Sequence, residues 1–177
     1  MNKSELHRLE NIALSNHDIL KLLNNNCNIV LYPDLHNYHN IDEILDPFNA
    51  CIILYESQPN YGHWCALTKR DDNIIEFFNP YGGLPDCCLK QIKYDFRKKS
   101  NQLIPHLSHL MEDSPYELHF NEFQFQQKGY DIKTCGRHCC VRVFCKDMDI
   151  YQYKGFLDFL KRRLKTDYDG VVTILTS

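Results

Sequence analysis

His63-Trp64-Cys65-Ala66-Leu67-Thr68-Lys69, then Arg70-Asp71-Asp72, then Asn73-Ile74-Ile75-Glu76-Phe77-Phe78-Asn79 is the stretch on which the fold turns. Two apolar runs rich in aromatic and branched residues flank a short polar cluster, the pattern of an antiparallel hairpin, and Pro80-Tyr81-Gly82-Gly83 ends the second strand. Residues paired across a hairpin keep a constant sum of position numbers, so a turn centred on Asp71 sets His63 opposite Asn79. Directly opposed residues hold their Cβ atoms about 4.5 to 5.5 Å apart on one face, within reach of an imidazole–carboxamide hydrogen bond. The pair then caps an apolar face made by Cys65, Leu67, Ile75 and Phe77. A slip of one residue would separate the two side chains onto opposite faces. Taken alone, they also fit a plainer reading, with Asn79-Pro80 as turn chemistry and His63 as an exposed strand end.

Outward from the hairpin, Ala50 to Tyr55 reads as a buried central strand, Asn28 to Tyr32 as a strand ended by Pro33, and Asp42 to Leu45 as a helical turn. Helices are expected over residues 4–24, interrupted near Ser15-Asn16-His17-Asp18, and within the basic region from Asp86 through Leu110. Glu117 to Phe125 reads as a strand, Cys135 to Lys146 and Tyr151 to Lys165 as helices, and Val171 to Leu175 as a last strand. The expected class is α+β with a mostly antiparallel sheet. One domain is expected over 1–177, with a core at about 28–146, N-terminal helices at 4–24, and a C-terminal helix and strand at 151–175.

The chain has 177 residues, 44% of them hydrophobic, which suits the core of one ordinary domain. Its formal charge of −3 gives no electrostatic reason to expect nucleic acid as the main partner. The run Lys161-Arg162-Arg163-Leu164-Lys165 reads as the wet face of a helix packed through Phe156, Leu157, Leu160 and Leu164, with DNA contact as the alternative. Apolar runs are too short to cross a bilayer, and Met1-Asn2-Lys3-Ser4 leads into a polar segment without a signal-peptide core. Nine cysteines, some adjacent as in Cys87-Cys88 and Cys139-Cys140, lack disulfide-framework spacing and point to a reducing compartment.

Thr134-Cys135-Gly136 opens a helix whose packing face carries Gly136, Cys139, Cys140, Val143 and Phe144. Thr134 is the expected N-cap. Cys135 then sits in the first turn, where free N–H groups and the helix dipole favour thiolate and can receive an oxyanion. Cys139 and Cys140 lie a turn deeper and read as structural, and His138 reads as an exposed or capping residue with a local base as the alternative.

Gly62-His63-Trp64, Phe78-Asn79-Pro80-Tyr81-Gly82, and Gln127 ahead of Cys135-Gly136-Arg137-His138-Cys139-Cys140 together resemble the adenovirus-protease and SUMO-protease clan of cysteine peptidases. Within that clan the likeness is greatest to capsid-maturation proteases of virophages and large DNA viruses. The resemblance implies a papain-like core of the adenain and SUMO-protease type, a twisted sheet packed on a central nucleophile helix. By the same resemblance, Cys135 is the nucleophile, His63 the base, Asn79 its orienter in a slot many members give to Asp or Glu, and Gln127 the oxyanion donor. Gln126 is the alternative for that last role. An amide at position 79 holds the ring without lending it charge. Trp64 would line the substrate cleft, its other reading being a core aromatic.

These implications lead to an endopeptidase that cuts capsid or other structural precursors at glycine-containing sites during virion maturation, as a monomer, with no metal or organic cofactor. The expected locations are the virion and the infected-cell cytoplasm. Two other readings stay open: an isopeptidase acting on host ubiquitin-like conjugates, and a non-catalytic zinc protein built on His36-x-x-His39, Cys87-Cys88 and Cys135-x-x-x-Cys139. An acetyl transferase on the same nucleophile has no motif in its favour.

Overall fold

The computed structural model describes residues 1–71 and 73–177. The turn expected around Asp71 and Asp72 includes Asp72, which lies outside the described residues. In chain order the elements are α1 (Lys3–Glu10), α2 (Asn16–Leu22), β1 (Asn28–Leu31), α3 (Asp42–Leu45), β2 (Ala50–Gln58), β3 (Tyr61–Asp71) and β4 (Ile74–Phe78). They continue with α4 (Tyr94–Lys99), α5 (His106–Glu112), β5 (Glu117–Phe120), α6 (Cys135–Phe144), α7 (Ile150–Leu164) and α8 (Tyr168–Leu175). Short 3-10 turns occupy Tyr32–Asn37 and Cys87–Gln91. Among the described residues, no helix is long and apolar enough to cross a membrane.

The strands form one sheet in the order β1-β2-β3-β4-β5, antiparallel through its centre and parallel at both edges. Strict alternation along β2 and β3 sorts side chains onto two faces. Ile52, Leu54, Trp64 and Ala66 face a core shared with α6, while Ile53, Tyr55, Cys65 and Leu67 face a second core closed by the segment from Tyr32 to Leu45 and by α5. β2 and β3 approach so closely that a Cβ on Gly62 would lie 1.9 Å from the Tyr55 carbonyl oxygen, so only glycine fits there.

Three expectations change. Val171 to Leu175 is helical, not a strand: the Asp167 side chain accepts the Gly170 N–H and starts α8, overriding the strand preference of a β-branched run. The strand expected to reach Phe125 stops at Phe120, after which the N–H groups of Phe125 and Gln126 both donate to the Pro80 carbonyl at 2.9 Å. α6 is buried from Cys135 through Val143 on every side, whereas Phe144, expected on the packing face, is exposed.

Candidate active site

β3 and β4 pair with Ala66 opposite Phe78 and Leu67 opposite Phe77. That register is displaced by two residues from the one that sets His63 directly across from Asn79. An even displacement preserves the face, so the two become diagonal neighbours and the hydrogen bond survives. His63 Nε2 lies 2.9 Å from Asn79 Oδ1.

Asn79 is buried and clamped from all sides. Its backbone N–H donates to Asn121 Oδ1 at 2.8 Å, and Asn121 Nδ2 returns a bond to the Asn79 carbonyl at 2.7 Å. Asn79 Nδ2 donates to the Gly82 carbonyl at 3.0 Å, and the Tyr81 N–H donates to Oδ1 at 3.0 Å. Those partners fix which way the amide points, so His63 must present Nε2–H to Oδ1 and keep the Nδ1 lone pair free. Tyr81 stacks on the imidazole, with centroids 4.7 Å apart and rings 15° from parallel.

Cys135 is the first residue of α6 and only 8% exposed. The N–H groups of Trp64, Gly136 and Cys135 itself point to its sulfur and lower the thiol's pKa, but burial outweighs them and the net shift is upward. Burial also pushes His63 down to about 4, against the raising effect of the Asn79 hydrogen bond. Burial thus works against both the thiolate that the helix start favours and an imidazolium at His63.

Thr134 occupies the cap position without capping, because its hydroxyl donates instead to Asp169 Oδ1. His138 is fully buried rather than exposed, with Nε2 donating to the same Asp169 oxygen at 3.0 Å. Asp169 Oδ2 accepts the Gln127 N–H at 2.9 Å, so α8 ties together the first turn of α6 and the loop before it.

A cleft of about 610 Å³ runs past these groups, with His63, Trp64, Tyr81, Gln126 and Cys135 in its walls. Gln126, not Gln127, reaches it. The Gln127 amide turns outward and donates to Asp167 at 2.7 Å, whereas Gln126 is buried, with Nε2 3.3 Å from the Ile132 carbonyl. Trp64 is buried against α6 and also lines the cleft, its Nε1–H donating to the Leu14 carbonyl at 3.2 Å. A Cβ at Gly136 would sit 3.2 Å from the Trp64 ring, so glycine lets α6 lie this close to β3.

Of the zinc ligands read from sequence, His36 and His39 turn to separate partners: His36 Nδ1 lies 2.7 Å from the Pro33 carbonyl, while His39 faces Glu43 at 3.6 Å. Sequence reasoning missed Asn121 and Asp169. Each acts on a residue some 30 to 42 positions away, and no local pattern marks either one.

No protein-family model matches the chain. "Uncharacterized protein V9" of the Sputnik virophage is 49% identical over 172 residues, which are 97% of this chain and 98% of that protein. Among solved structures, the chain is similar to the pS273R protease of ASFV, with a TM-score of 0.46 and 15% identity over 81% of this chain and 62% of that one. It thus spans less than two thirds of that protease's length. It is also similar to the SUMO protease Ulp1, with a TM-score of 0.42 and 15% identity over 99% of this chain and 87% of that one.

Proposed function

We propose that this chain, which belongs to the family of the Sputnik virophage V9 protein, is a cysteine peptidase with Cys135 as nucleophile, His63 as base and Asn79 as the residue that orients the base. The observation that carries the reading is the 2.9 Å bond from His63 Nε2 to a fully clamped Asn79, beside a cleft whose walls include both His63 and Cys135.

In the proposed cycle the Cys135 proton passes to His63 Nδ1 as sulfur attacks the peptide carbonyl carbon. Because burial disfavours both charged forms, the proton moves as attack proceeds in this cycle. The Cys135 N–H and the Gln126 side-chain amide are the donors for the oxyanion. His63 then protonates the leaving amine as the C–N bond breaks. Water hydrolyses the thioester, with His63 taking the water's proton and returning one to sulfur.

The substrates we propose are capsid or other structural precursor proteins cut beside glycine during virion maturation in a reducing environment. The likeness in sequence to a virophage protein supports this choice. The test is a cleavage assay on purified chain with virion precursor proteins and, separately, fluorogenic ubiquitin-like conjugates. Cys135→Ala is expected to abolish cleavage with an unchanged circular dichroism spectrum, and undiminished cleavage would end the proposal. In the same assay Gln126→Ala is expected to lose about a hundredfold in kcat, as for a lost oxyanion donor. Gln127→Ala should stay close to wild type.

A further inference from the structure

The face of the sheet behind the His63–Asn79 pair carries a cluster of thiols that the peptide chemistry does not use. One ligand atom each from His63, Cys65 and Cys88 lies within 4.8 Å of the others. The two sulfurs are 3.9 Å apart. In a tetrahedral site with Zn–S bonds of about 2.3 Å, ligand sulfurs stand about 3.8 Å apart, so this pair is already at coordination spacing. Cys65 comes from β3, on the same face as His63, and Cys88 from the 3-10 turn at Cys87–Gln91, so one ligand is supplied across the core by a separate segment. Asn79 Nδ2 lies 3.4 Å from both Cys87 Sγ and Cys88 Sγ, as an outer-shell donor to thiolate ligands would.

We propose that His63, Cys65 and Cys88 bind a zinc ion that switches the peptidase off. Binding exchanges two thiol protons for the metal and releases them to solvent, leaving a fourth position for water or for Cys87. The consequence for catalysis does not depend on which ring nitrogen binds. Nδ1 is the atom that must accept the Cys135 proton, and Nε2 is the atom by which Asn79 holds the ring. Either way the base is lost while Cys135 itself is untouched. The switch rests on the peptidase reading; the metal site does not.

The experiment is a cobalt titration of the full chain and of Cys135→Ala, followed by zinc competition. One Co²⁺ per chain is expected in both, with thiolate-to-metal charge transfer and tetrahedral d–d bands that zinc erases. Cys65→Ala and Cys88→Ala should each lose the thiolate bands, whereas Cys139→Ala keeps them. X-ray absorption on the zinc-loaded wild-type chain is independent of any variant and should find at least two sulfur neighbours. Stoichiometric zinc should stop cleavage by the wild-type chain, and a chelator should restore it. Bands that vanish in Cys135→Ala would place the metal on the nucleophile and overturn the proposal. So would bands that survive the Cys65→Ala, Cys88→Ala double change, or a zinc shell without sulfur. Because binding is read in Cys135→Ala, a chain that binds metal but cleaves nothing would count against the peptidase and leave the site standing.

Discussion

At the scale of single residues, the site differs from a charged triad in one respect that pH can report. In the proposed cycle the base must be neutral, and burial brings His63 down to about 4, so kcat/KM is expected to hold as pH falls from neutral and to drop only near pH 4. Asn79→Asp sets a carboxylate on the ring and favours imidazolium, which should move that acid limb upward by about one to three pH units. A pH–rate profile beside an NMR titration of His63 checks both, and an unmoved limb in the variant would show that His63 is not the group being read. The same shift bears on stability with a definite sign. His63 is harder to protonate folded than unfolded, so stability is expected to fall as pH drops from 6.5 to about 4 and to change no further from this source below that. The His63–Asn79 contact and the place of Cys135 at a helix start were legible because each residue sits beside recognisable neighbours on an element with a defined periodicity. Gln126 and Gln127 lie in an irregular loop where neither 2 nor 3.6 residues is the repeat, so adjacency alone could not say which one turns inward.

At the scale of elements, the hairpin and the Cys135 helix were readable, but their context was not. The expected β3–β4 register was two residues out: Asp71 pairs with Ile74 and the register shifts between Lys69 and Asp71, neither of which charge and hydropathy specify. Parity rescued the site, since an even error cannot change faces. α6 was read as amphipathic, although α2, β3 and α8 all pack against it and bury every residue through Val143. The missing partner was α8, mistaken for a strand, and with it went Asp169. That carboxylate accepts from Thr134, His138 and the Gln127 N–H, so Asp169→Ala leaves donors without partners beneath the nucleophile. The expected loss is about 3 kcal/mol, read as a lowered urea midpoint. Cys135 alkylation by iodoacetamide should also change rate in the variant, as the first turn of α6 loses its anchor. A midpoint within error of wild type would mean the network is incidental.

For the whole molecule, the site exists only where two bodies of structure meet: the sheet that holds His63 and the helix that holds Cys135. Apolar packing brings them together, but its lack of direction leaves the depth and rotation of α6 undetermined. A buried ion pair supplies direction. Arg142 Nε donates to Glu76 Oε1 at 2.8 Å, joining α6 to β4, with neither residue more than 1% exposed. Arg142 further donates to the Cys145 and Met148 carbonyls at 2.6 and 2.8 Å, and its guanidinium lies 5.0 Å from the Tyr153 ring centre. Glu76→Ala strands that cation, and the expected cost is about 3 to 5 kcal/mol. Replacing both residues with methionine should recover part of this, because Arg142's guanidinium is then no longer buried without its carboxylate, although Arg70, 3.6 Å from Glu76, still loses its partner. The recovery should be incomplete, since two carbonyls still lose their donor. Denaturant midpoints of the two variants measure this directly. In Glu76→Ala, kcat/KM should fall more than the folded fraction does, as α6 is freed to shift against His63. A Glu76→Ala loss below about 1 kcal/mol, the range of exposed pairs, would show that packing alone sets the position of the helix.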